Sequence, residues 1–116
     1  MENNPNIKLL RIFIGESDKY QGQPLYETIV FEAKKQGLFG ATVLRGIMGF
    51  GANSQIQSNK LFEISTDLPL IIEIVDDEQK IRAFVPIVKT LFEKSQSGGL
   101  ITLEKAEVIY YSTEKK

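Results

Sequence analysis

Residues 70–92 read LIIEIVDDEQKIRAFVPIVKTLF, a strand that runs straight into a helix. The first six residues are branched and apolar at all but one position, as a strand with bulk on both faces requires. Asp76, Asp77 and Glu78 follow at once, and negative charge there suits the first turn of a helix, whose N–H groups lack backbone partners. Ile81, Phe84, Val85, Val88, Leu91 and Phe92 recur in steps of three and four and make one buried stripe. Pro86 falls inside that stripe and is expected to kink the helix or split it at Val85. SQSGG, 95–99, then breaks the chain.

The same pairing of strand and helix occurs upstream. IKLLRIFIG, Ile7 to Gly15, is a strand with Leu10, Ile12 and Ile14 on one face and Leu9, Arg11 and Phe13 on the other, which points to a central position. ESDKYQGQ connects it to a helix beginning at Pro24 and running to about Gln36, with Leu25, Ile29, Val30 and Ala33 as its buried stripe. Gly37 stops that helix. A further strand starts near Ala41, Leu61 to Ser65 reads as a short continuation of it, and EVIYY, Glu107 to Tyr111, reads as the last strand after LITLEKA. Residues 1–116 therefore form one α+β domain of the order βαββαβ. This is the ferredoxin-like split βαβ plan, a four-stranded antiparallel sheet with two helices on one face. The uncovered face would carry apolar side chains that a soluble monomer seldom exposes, so association into a homo-oligomer is expected.

Composition removes several function classes. The 116 residues contain no Cys and no His, which excludes disulfides and thiolate chemistry and takes away the commonest general base and metal ligand. Lys plus Arg number 14 against 15 Asp plus Glu, a net charge of -1, so the basic footprint of a nucleic-acid binder is missing. No apolar run approaches the roughly 18 residues of a membrane span, and no basic-then-apolar leader precedes the domain; a cytoplasmic location without membrane insertion is expected.

GATVLRGIMGFG, 40–51, is the segment richest in glycine, and about Ala52 to Lys60 follows it as a long loop without charge until its end. The glycines admit two readings: a β-bulge with a hairpin, or a backbone cradle for a phosphate with Arg45 at hand. Gly98 and Gly99 likewise read either as a plain helix-to-strand turn or as the second wall of a cleft between subunits. Glu16 and Asp18 make an acid/base pair conceivable, but exposed loop carboxylates beside Lys19 are normally solvated.

RIFIGESDKY, GATVLRGIMGFG, DLPLIIEIVD and GGLITLEKAEVI together resemble the PII-like family of small uncharacterised proteins related to the nitrogen regulatory PII proteins, over about Leu9 to Tyr111. The resemblance implies homotrimers, adenine nucleotides bound in clefts between subunits, and a long mobile loop that engages a partner, such as a membrane transporter or an enzyme. Gly49, Phe50 and Gly51 look like the GFG that opens this loop, here 52–60. Arg45, Gly46, Gly49, Phe50, Gly51, Gly98, Gly99 and Leu100 are the ligand-binding candidates, with no catalytic or metal-binding residue. SQSGGLIT lacks the positive charge of the PII glycine loop, and Gln55 and Gln57 stand where relatives carry a basic residue and a histidine; AMP or ADP suits such a site better than ATP. Two other activities use the same scaffold. An acylphosphatase-type enzyme needs an anion-gripping loop where this chain has the acidic ESDKYQGQP, and a CutA-like metal-tolerance protein is weakened by the lack of His and Cys.

Overall fold

The computed structural model describes residues 1–51, 57–58 and 67–114. In chain order its elements are β1 (Ile7–Gly15), β2 (Lys19–Tyr20), β3 (Gln23–Pro24), α1 (Leu25–Lys35), β4 (Thr42–Arg45), β5 (Met48–Gly49), β6 (Gln57–Ser58), β7 (Pro69–Asp77), α2 (Glu78–Ser95) and β8 (Leu100–Lys105). The main sheet has the order β4-β7-β1-β8 with every pairing antiparallel, the split βαβ plan. β1 is central, as its two apolar faces required.

Strand alternation assigns the faces. Leu10, Ile12 and Ile14 of β1 and Leu70, Ile72 and Ile74 of β7 are buried against Leu25, Ile29 and Ala33 of α1 and Ile81, Phe84, Val88 and Leu91 of α2. The other face is uncovered within one chain. Register places Leu44, Ile71, Phe13 and Leu100 in one row across all four strands, and Thr42, Glu73, Arg11 and Thr102 in the next. Arg11 is paired with both Glu73 and Glu104, so this face is an apolar row beside a charge-matched one.

Several local expectations need correction. Pro24 precedes the first residue of α1 as its cap rather than opening the helix. α2 runs unbroken through Pro86, because that residue is exposed and the carbonyl deprived of its N–H partner can be satisfied by water. The last strand is Leu100–Lys105, not Glu107–Tyr111. β8 pairs with β1 from Phe13↔Leu100 to Lys8↔Lys105, and one more bond, Ala106 N–H to the Ile7 carbonyl at 3.1 Å, uses up the start of β1. Residues 107–111 run past the start of β1 and form no strand. Tyr111 instead stacks on Phe39, with ring centroids 5.8 Å apart, while Tyr110 is exposed. The expected strand at Leu61 to Ser65 and most of the 52–60 loop lie outside the described residues.

Asp76 is a further departure. Asp77 caps α2 by accepting the Gln79 N–H at 2.9 Å, but Asp76 is fully buried in line with Leu70, Ile72 and Ile74. Its carboxylate accepts the Phe39 N–H at 2.9 Å and the Asp77 N–H at 2.7 Å, tying the connection between α1 and β4 to the sheet.

Candidate functional site

An antiparallel sheet brings strand ends of opposite sense together. Gly15 at the end of β1 pairs with Pro69 at the start of β7, and Leu100 at the start of β8 pairs with Phe13. α2 returns antiparallel to β7, so its C-terminal end arrives at the same edge, and the Gly46 N–H donates to the Pro69 carbonyl at 2.7 Å to bring the end of β4 there too. The result is an open cleft of about 760 Å³. Gly49, Phe50 and Gly51 form one wall and Gly98, Gly99 and Leu100 another, with Phe13, Ile14, Gly15, Asp18, Asp67, Pro69, Leu70 and Gln96 between and around them. The two glycine clusters thus meet within a single chain.

Arg45 and Gly46 do not line the cleft. Arg45 is engaged in an ion pair with Glu16 of the β1–α1 connection. A Cβ at Gly46 would stand 2.8 Å from Pro69 Cγ and one at Gly49 3.1 Å from the same atom, so both glycines let β4 and β5 pass close to Pro69. Gly99 is equally constrained, since its Cβ would lie 2.6 Å from the Phe92 ring and 3.0 Å from the Phe13 carbonyl. Gly98 is different. Among the described residues nothing stands within 4 Å of a Cβ built there, and its φ is not positive, so neither crowding by those residues nor backbone conformation demands a glycine.

Sequence reasoning missed Asp67, and it read Asp18 as a solvated loop carboxylate. Asp18 accepts the Gly15 N–H at 2.9 Å and Asp67 accepts the Ser17 N–H at 3.1 Å. Burial pushes the Asp18 carboxyl above its ordinary value, the Gly15 N–H opposes this, and the neighbouring Asp67 charge adds to the rise. A carboxyl with a raised folded-state pKa favours the fold while protonated and loses that contribution as pH rises. Relative to Asp18→Asn, the wild-type protein should therefore lose stability as pH increases through the interval that opens at the ordinary value of 3.8, which thermal melts across that interval will show. The offset should be level well above and well below it.

Among the described residues no group of three or more His, Cys, Asp or Glu side chains is arranged to hold a metal ion, and no helix is long and apolar enough to cross a membrane. Residues 7–108 match the model of the family DUF190, described as uncharacterized ACR. The chain belongs to this family. A UPF0166 protein of Aquifex aeolicus is 45% identical over 103 residues, covering 89% of this chain and 93% of that protein. A UPF0166 protein of Methanocaldococcus jannaschii is 37% identical over 101 residues, covering 87% and 90%. Among solved structures, this DUF190 chain is similar to CPII of Thiomonas intermedia, a nitrogen regulatory PII-like protein seen bound to ADP, AMP and bicarbonate. The TM-score is 0.67 at 18% identity, over 88% of this chain and 87% of that one. A PII-like signalling protein of Thermus thermophilus gives 0.64 at 15% identity, over 89% of both. At such identities the likeness is one of fold, and it agrees with the PII-like resemblance read from the residues.

Proposed function

We propose that this DUF190 chain is a non-enzymatic PII-like regulatory protein that binds an adenine nucleotide, AMP or ADP, in the cleft and engages a partner protein through residues 52–60. One observation carries the reading: Gly49, Phe50 and Gly51, which lead into that segment, form a wall of the cleft opposite Gly98, Gly99 and Leu100. A ligand held there touches the root of the segment. It would act by favouring one arrangement of the segment over others, to the extent that it binds one more tightly. The CPII complexes with ADP and AMP support an adenine ligand on this fold. The acids of the β1–α1 connection support a binding role over an acylphosphatase one, because Glu16 is paired with Arg45 and Asp18 accepts a backbone N–H. In this reading Arg45 and Gly46 shape the strand end that carries the glycine wall.

A thermal-shift series with AMP, ADP and ATP tests the proposal directly. Ligand at about 100 times its dissociation constant stabilises by roughly 2.7 kcal/mol, which for a domain of this size raises Tm by about 10 °C. No shift with any adenine nucleotide at millimolar concentration would end the reading.

The assembly we propose is a homotrimer closed over the uncovered sheet face. Leu44 and Leu100, 44% and 55% exposed, flank the half-buried Phe13 and Ile71 in its apolar row. Light scattering should return about three times the mass of the chain, and Phe13→Asp should shift the protein to monomers by placing an unpaired charge in that row. A wild-type mass equal to one chain at micromolar concentration would rule the assembly out.

A further inference from the structure

We infer that the cleft selects for the nucleoside end of its ligand, and that adenosine derivatives with an uncharged or cationic 5′ group bind more tightly than adenine nucleotides bearing phosphates. The inference rests on the adenine reading above and names the ligand class within it.

Electrostatics carry the argument. Asp18 and Asp67 both line the cleft, and no Lys or Arg is among the described lining residues. The end of α2 reinforces them. Gln96 lines the cleft as the left-handed cap of α2, so the end of the helix bearing partial negative charge is the one that abuts the site. Phosphate sites use the opposite end of a helix. The two cations closest in sequence to the glycine walls do not reverse this. Lys94 is exposed and outside the lining, and Arg45 is engaged by Glu16.

The same walls suit a nucleoside. Phe50, 73% exposed, and Pro69 line the cleft outside the sheet-face row that the trimer would cover, and they offer apolar surface on which a flat base can lie. A carboxylate has about four acceptor positions. Among the described residues, the backbone N–H groups of Gly15 and Ser17 take one position each from Asp18 and Asp67, which leaves acceptor positions for ribose hydroxyls or for a positive 5′ group. Gly98, which no described residue crowds, leaves open backbone beside them.

Isothermal titration of the wild-type protein with adenosine, AMP, ADP and ATP in metal-free buffer is the test, with an S-adenosyl sulfonium compound as the cationic probe. Affinity should fall by roughly threefold to tenfold with each added phosphate, and the sulfonium should bind at least as tightly as adenosine. Asp18→Asn and Asp67→Asn should each narrow the gap between adenosine and ADP by a similar factor. Asp18→Asn keeps an acceptor for the Gly15 N–H, and the wild-type series stands alone if either variant folds poorly. ADP or ATP binding more tightly than adenosine overturns the selectivity and leaves the adenine reading intact. No heat from any adenine compound at millimolar concentration overturns both.

Discussion

Asp76→Ala should lower the stability of the protein by about 2 to 4 kcal/mol, the sum of two buried or half-buried donors left without partners. The carboxylate is fully buried on the helix face of β7, where every other inward residue is Leu or Ile. It accepts the N–H of Phe39 and that of Asp77, so truncation strands both and opens a small void among well-packed neighbours. The Phe39 contact has the longer reach. It holds the α1–β4 connection against the sheet, and Phe39 in turn carries the Tyr111 ring and the Lys80 ammonium, 4.2 Å from its centroid. Asp76→Asn should recover part of the loss, since its carbonyl oxygen can serve one N–H while its amide opposes the other. Urea titration will decide the matter: a midpoint close to wild type with an unchanged slope for Asp76→Ala would show that water reaches and satisfies those N–H groups.

Gly99→Val should cost about 3 kcal/mol, at or beyond the upper end for overpacking, because a Cβ at that position meets the Phe92 ring at 2.6 Å and the Phe13 carbonyl at 3.0 Å. The far end of a flexible side chain would yield to such a contact. An aromatic ring wedged between a helix end and a strand, and a carbonyl in a central strand, cannot move cheaply. Gly98→Ala is the informative companion. With no described residue inside 4 Å, its new methyl should leave the melting temperature within about 2 °C of wild type and should weaken AMP binding by at least roughly tenfold by entering the cleft. Equal destabilisation by the two variants would mean that both glycines serve packing alone. Unchanged AMP affinity in a stable Gly98→Ala protein would remove Gly98 from the site.

Much of this architecture is legible in a single chain because its signals are local. Period-two and period-3.6 patterns, acids ahead of α2 and Gly37 behind α1 place the two long strands and both helices close to where they fall. EVIYY reads as the last strand because those residues favour strands, yet a strand needs a partner and β1 has been used up by Lys105. Pairing is a property of register. Glycine identity also carries a signal that local reading cannot give: Gly46 lies outside the cleft lining and is required by Pro69, and Gly99, which does line the cleft, is also required by the Phe92 ring, through crowding that no spacing rule reports.

The sequence by itself determined the fold class and the family, since hydrophobic periodicity and glycine clusters act over a few residues at a time. Only the tertiary structure decided which segments meet. Glycine walls 47 positions apart, Gly51 to Gly98, share a cleft because antiparallel pairing and the return of α2 deliver them to one end of the sheet. The same geometry sets Asp18 and Asp67 between them and leaves Arg45 with Glu16, so the charge of the site depends on contacts across the chain that no local pattern encodes.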